Sequence, residues 1–342
     1  MDTSFYTVPQ VPLIGCIVGH PCPIKSEQAI SYLATMKALV YKSTGSWYQV
    51  RDEEGHMRMA RIKGRLKLDD ITSTNPVAVG DWVELEMEDQ AEQAVITEIH
   101  TRKNYINRVS PHRKNQHHIV AANLDQSLLF ATLREPRTSL GFIDRFLVTC
   151  EAYHIPAVIV FNKLDLYKAK DHEQLNRIRE IYEPVGYRIM AMSLKTGEGV
   201  SELAGLLANK LSLLSGHSGV GKSSFINHLF PELALRTQDV SGWSGHSLHT
   251  TTFAEMYDLP GGGHIIDTPG IREMGLVDID KYELSHYFPE MRDKLQECQF
   301  NNCVHINEPG CAVKASVASG DISEERYISY LNILDSLGQV SY

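Results

Sequence analysis

The sequence predicts a multidomain chain: a small five-stranded β-barrel, an α/β nucleotide-binding domain, and a small helical domain built around a metal. Three observations predict it. Short alternating strands separated by turn residues fill residues 36–110. Apolar strand runs then alternate with helical patterns over residues 111–280. Finally, Cys298, Cys303, His305 and Cys311 crowd into one short window of residues 281–342.

The 342 residues are enough for two or three domains, and 43% hydrophobic with 22% charged residues is ordinary for a globular protein. No apolar run approaches the length of a membrane span. The apolar stretch from Val11 to Val18 has no Lys or Arg before it, which argues against a secretory signal. Residues 1–35 show no clear periodicity and read as an extension to the native chain, with Met36 as the natural start. The net charge of −9 requires that any nucleic-acid partner meet a locally basic face.

The barrel strands are expected at Ala38 to Tyr41, Ser46 to Arg51, Arg58 to Lys63, Asp81 to Glu86 and Ala94 to Ile99. Five strands in this length suggest an oligonucleotide-binding (OB) barrel. Arg61, Lys63, Arg65 and Lys67 place positive charge along one strand and its turn, and Arg102, Lys103, Arg108, Arg113 and Lys114 add more. Trp47, Tyr48 and Tyr105 are aromatics that could stack on bases. A barrel that only packs on its neighbour, its charges balanced by Glu84, Glu86, Glu88 and Asp89, is the alternative.

In the second domain, strands are expected at Asp125 to Ala131, Ala157 to Phe161, Arg188 to Met192 and Leu211 to Leu214. Helices are expected at Leu140 to Tyr153, Gln174 to Tyr182 and Val200 to Lys210. This alternation predicts a parallel sheet covered on both faces, with ligands beyond the carboxyl ends of its strands.

The motifs fall at those ends. Gly216-His217-Ser218-Gly219-Val220-Gly221-Lys222-Ser223 reads G-x-x-x-x-G-K-S, a phosphate loop, and Ser224 continues it into a helix. Its glycines let backbone amides approach phosphates, and the helix start adds a positive dipole end. Lys222 is expected to reach the β- and γ-phosphates and Ser223 to ligate Mg²⁺. Asn162, Lys163 and Asp165 form N-K-x-D, in which the Asp165 carboxylate accepts two hydrogen bonds from guanine. Adenine offers no such donor pair, so ATP is disfavoured. Ser193, Leu194 and Lys195 fit a looser motif that closes over the base. Asp267 and Gly270, in Asp267-Thr268-Pro269-Gly270, are placed to hold a magnesium-bound water and meet the γ-phosphate.

The base reader precedes the phosphate loop, whereas the reverse order is usual, so this P-loop GTPase domain is expected to be circularly permuted. Gln238 to Thr252 has the polarity of a switch loop. Thr251, with Thr250 as the alternative, is expected to add a second hydroxyl on Mg²⁺. Ile271 stands where many GTPases carry a water-orienting glutamine, so unaided hydrolysis is expected to be slow. His249 is the candidate for that missing catalytic role, or a switch histidine without one.

Three thiolates and one imidazole at Cys298, Cys303, His305 and Cys311 suit tetrahedral, structural zinc; buried cysteines beside a chance histidine are the alternative. An amphipathic helix is expected at Glu324 to Leu334.

The order N-K-L-D, S-L-K, G-H-S-G-V-G-K-S-S, H-T-T-T, D-T-P-G resembles that of the ribosome small-subunit-dependent GTPase A family (RsgA, YjeQ or YloQ). The preceding barrel and the Cys/His spacing match its layout from Met36 onward. The resemblance implies a cytoplasmic, monomeric factor using GTP, GDP, Mg²⁺ and one zinc ion. Such a factor acts late in small ribosomal subunit maturation, binds as the GTP form, is stimulated by the subunit and leaves as the GDP form. It also implies that barrel and zinc domain touch ribosomal RNA, and that a hydrophobic Ile271 is normal. Leu194 departs from the small alanine common at that position in GTPases. A nucleotide-gated RNA-binding module with incidental hydrolysis, and an ATP-using P-loop enzyme, are the competing readings.

Overall fold

The computed structural model describes residues 35–62, 76–87, 93–109, 117–231, 254–267 and 279–339. The expected extension before Met36 therefore lies outside the described residues, Thr35 apart, as do Lys63, Arg65, Lys67, Arg113 and Lys114.

The barrel consists of β1 (Met36–Ser43), β2 (Tyr48–Asp52), β3 (Met57–Ile62), β4 (Trp82–Met87) and β5 (Gln93–Ile99). Its strands pair in the order 1-2-3-5-4, and a β1–β4 ladder closes the ring. β3 and β5 run parallel while the other pairs are antiparallel, so this is a closed OB-type barrel. Alternation drives Ala38, Val40, Val50, Val83, Leu85 and Ile96 inward. Tyr48 shares that phase with Val50 and is only 1% exposed. This corrects the expectation that Tyr48 stacks on bases, because its ring fills the barrel core. Arg102 is likewise committed inside the protein, donating to Asp81 at 2.6 and 2.7 Å.

A hairpin of β6 (Tyr105–Val109) and β7 (His117–Ala122) follows. The α/β domain then runs β8 (Gln126–Ala131), α1 (Leu140–Ala152), β9 (Ala157–Phe161), α2 (Ala169–Tyr182), β10 (Arg188–Ala191), α3 (Val200–Leu207), β11 (Leu211–Ser215), α4 (Lys222–Leu229), β12 (Glu255–Asp258) and β13 (His264–Asp267). Its strand order is β10-β9-β8-β11-β13-β12, parallel throughout except for β12. The apolar runs divide between two cores. Leu129, Ala131, Ile159, Phe161 and Leu213 face one layer of helices, while Leu128, Phe130, Val158, Val160 and Leu214 face the other.

The antiparallel β12 also touches β1 at the Lys42–Glu255 register, so one sheet continues from the α/β domain into the barrel. A Lys42–Glu255 ion pair at 3.0 Å and a Tyr41–Asp258 hydrogen bond at 2.6 Å reinforce the junction.

The C-terminal domain holds α5 (Pro289–Arg292), α6 (Ala312–Ser319) and α7 (Glu324–Gln339). Its core includes Val148 of α1, so it packs directly on the α/β domain. Arg326 crosses this seam. Only 1% of its side chain is exposed, and it donates to Asp144 at 2.6 Å and to Glu290 at 2.7 and 3.0 Å. Burial opposes the charge on Arg326, but Asp144 and Glu290 outweigh it and raise its pKa. Among the described residues, no helix is long and apolar enough to cross a membrane.

Candidate functional site

The sheet order brings the motif-bearing strands together. β11 lies at its centre, between β8 and β13, and ends in the phosphate loop. Leu214 of β11 is in register with Asp267 of β13, two residues before Gly216. β9 and β10 pair next to each other; Asn162 follows β9 directly, and Ser193 lies two residues beyond β10.

Gly216 sits at φ +134°, and a Cβ there would lie 2.3 Å from the Phe130 carbonyl oxygen. Only glycine lets the loop turn so close to β8. Gly221 sits at φ +102° as the residue before α4, and a Cβ there would lie 2.2 Å from Asn162 Nδ2. That amide donates to the Val220 carbonyl at 2.9 Å. The N-K-x-D loop and the phosphate loop, 58 residues apart in sequence, are thus joined by a buried hydrogen bond.

Within the phosphate loop, the Lys222 ammonium donates to the carbonyls of Gly216 at 2.6 Å and His217 at 2.9 Å. Burial pushes its pKa down, and the Asp267 charge pushes back. An anion at the loop would add to the Asp267 charge in holding this buried lysine protonated. Ser223 is the second residue of α4 and is half-buried; Ser224 is exposed.

At the other end, Asn162 Oδ1 accepts from the Lys163 N–H at 2.7 Å. This supports a left-handed Lys163, φ 65°, that turns the chain so that Asp165 follows in a short 3₁₀ turn. The Lys163 ammonium donates to the Glu135 carbonyl. The buried Ser193 hydroxyl donates to Asp165 at 2.6 Å, and the exposed Lys195 ammonium stands 4.0 Å from the same carboxylate. Leu194 packs against the apolar cluster beneath α3. Asp165 is therefore oriented by the S-L-K segment, with acceptor capacity beyond these two contacts.

Sequence reasoning missed Tyr167. Its hydroxyl accepts from the Leu133 N–H at 3.1 Å and donates to the Asn162 carbonyl at 3.2 Å, bracing the N-K-x-D loop. Nothing in the motif signals it beyond its position two residues after Asp165. His249, Thr251, Gly270 and Ile271 lie outside the described residues.

Cys298, Cys303, His305 and Cys311 offer ligand atoms all within 4.8 Å of one another. His305 Nδ1 lies 3.7 Å from the Cys298 sulfur and 3.4 Å from that of Cys311. Tetrahedral zinc with ordinary Zn–S and Zn–N bonds sets the S···N edge at about 3.6 Å, so the cluster fits that ion. Burial pushes the Cys303 thiol up to about 12, and a divalent cation would reverse this. Glu308 accepts from the N–H groups of Val304, Ile306 and Asn307, and Tyr327 donates to the His305 carbonyl at 2.6 Å. These contacts brace the loop that carries the ligands.

The RsgA GTPase family model matches residues 99–277, and the RsgA N-terminal domain model matches residues 37–96. The chain belongs to the RsgA GTPase family. It is accordingly a GTPase. A curated relative from Cytophaga hutchinsonii, named small ribosomal subunit biogenesis GTPase RsgA, is 50% identical over 300 residues, covering 87% of this chain and 98% of the relative. Among solved structures, YjeQ from Thermotoga maritima superposes with a TM-score of 0.72 at 35% identity, covering 89% of this chain and 99% of that one. YloQ, described as a circularly permuted GTPase, gives 0.70 at 27% identity, covering 92% and 98%. The permuted motif order therefore has folded precedents with the same architecture.

Proposed function

We propose that this protein is a cytoplasmic, monomeric ribosome biogenesis factor acting late in small-subunit maturation. It binds the subunit and its ribosomal RNA in the GTP form, is stimulated there to hydrolyse GTP, and leaves in the GDP form. The names of its relatives and the match to both family models support this reading. The observation that carries the nucleotide site is the Asn162–Val220 hydrogen bond, which sets a base-reading loop against a phosphate loop.

In this reading Asp165 accepts the guanine N1–H and exocyclic amine, with Asn162, Lys163, Ser193, Leu194 and Lys195 shaping the base pocket. The amides of residues 216 to 224 cradle the phosphates, and Lys222 draws the β- and γ-phosphate charge. Ser223 and Thr251 would hold Mg²⁺, with Asp267 nearby, and the bound ion would supply positive charge against the phosphate oxygens. Gly270 meets the γ-phosphate. His249 orients the attacking water, a task Ile271 cannot perform. Cys298, Cys303, His305 and Cys311 hold one structural zinc ion that completes the C-terminal domain.

Steady-state GTP hydrolysis with and without purified small subunits tests the proposal. Marked stimulation by the subunit is expected. Equal rates would instead favour a nucleotide-gated RNA-binding module.

A further inference from the structure

The phosphate loop meets its surroundings through contacts of its motif residues and through one aromatic contact outside the motif. At Gly216 the turn leaves no room for a Cβ beside the Phe130 carbonyl, and the Val220 carbonyl accepts from Asn162. The aromatic contact is made by His217, whose imidazole stacks on the Phe142 ring of α1 with centroids 3.8 Å apart and planes 29° from parallel. Ser139 caps α1 and accepts from the Phe142 N–H at 3.2 Å, which fixes the start of the helix carrying that ring.

We propose that Phe142 is a positioning residue for the phosphate loop: its ring holds His217 so that the loop stands ready for the nucleotide phosphates. This rests on the nucleotide-site reading above. The His217 carbonyl accepts the Lys222 ammonium at 2.9 Å, so whatever orients residue 217 also orients the lysine. With positive φ at Gly216, Gly219 and Gly221, the loop has backbone freedom that must be restrained for tight binding.

The helix behind Phe142 is a firm support. Ile143 and Leu147 are buried in the core, and Val148 lies in the core of the zinc-binding domain. Asp144, two residues beyond Phe142, is fully buried and accepts from Arg326 at 2.6 Å and Tyr182 at 2.8 Å. A stacked aromatic pair contributes beyond its buried area through ring geometry, which an aliphatic side chain of similar size does not reproduce.

The test uses the full chain and a fluorescent GDP analogue, comparing wild type with Phe142→Leu, Phe142→Tyr and Phe142→Trp. Leucine keeps the apolar bulk and loses the stack, so its affinity is expected to fall by about 2- to 12-fold. Tyrosine and tryptophan are expected to remain within about twofold of wild type, because both keep an aromatic face. Unchanged affinity in Phe142→Leu, or a loss in Phe142→Tyr as large as in Phe142→Leu, would overturn the proposal. A ring-current shift of the His217 imidazole protons in the wild type provides a check that needs no variant; unshifted resonances would also overturn it. If the wild-type protein fails to bind GDP, the nucleotide site itself falls, an outcome distinct from failure of the stack alone.

Discussion

Gly221→Ala is the sharpest perturbation of the site. The added methyl would sit 2.2 Å from Asn162 Nδ2, far inside any tolerated contact, at a φ of +102° that L side chains rarely adopt. The backbone strain costs about 1–2 kcal/mol. To relieve the clash the Asn162 amide must swing away, which leaves the Val220 carbonyl without its donor at 2.9 Å. A buried group left unsatisfied costs about 1–3 kcal/mol. Together these come to about 2–5 kcal/mol, or roughly 30-fold to several-thousand-fold in GDP affinity if binding needs the joined geometry. Isothermal titration or fluorescent-nucleotide binding reads this directly. Gly186→Ala is the control: its φ is +99°, but a Cβ there meets nothing within 4 Å, and it lies in the turn after α2. That variant should lose stability only and bind GDP normally. Gly221→Ala binding GDP within about threefold of wild type would show that the two loops need not be joined.

Asp165→Asn replaces an acceptor oxygen with a donor amide, so GTP binding should weaken and xanthine nucleotides should gain; unchanged GTP affinity would remove Asp165 from the base pocket. Arg326→Ala strands Asp144 and Glu290 at the seam between domains, and breaking such a buried pair costs about 3–5 kcal/mol. Urea unfolding reads that loss, and a change under about 1 kcal/mol would mean the seam relaxes around water. Chelation should make the backbone around Cys298 to Cys311 exchange hydrogen faster while GDP binding persists. Protein purified without metal, yet equally protected there, would remove zinc from the account.

The parts of this architecture that were legible from sequence are those with strong local patterns. β9 is apolar throughout, and Leu128 to Ala131 of β8 and Leu213-Leu214 of β11 are apolar runs, because both faces of these strands are covered, and each run marks its strand directly. The metal cluster was legible because all four ligands fall within a short window, so little folding is needed to gather them. α2 was expected only from Gln174, where Leu175, Ile178 and Tyr182 begin their spacing. It starts at Ala169, because Asp171 accepts the Lys168 N–H at 2.7 Å and starts a polar first turn that apolar periodicity does not reveal. The β6–β7 pair and the four-residue β12 carry no clear apolar run of their own; pairing defines them, β6 with β7 and β12 with β13 and, at Lys42, with the barrel. Tyr48 was misjudged because a barrel strand can turn an aromatic inward as readily as outward. Contacts between distant segments, such as Asn162 with Val220, Phe142 with His217 and Arg326 with Asp144, have no local signature.

A structure of the protein with Mg²⁺ and a non-hydrolysable GTP analogue examines the central claim most directly. The account predicts one nucleotide spanning the two joined loops, with the Asp165 carboxylate on the guanine N1–H and exocyclic amine and the Lys222 ammonium on the β- and γ-phosphates. A nucleotide bound with Asp165 and Lys222 facing separate cavities would contradict it.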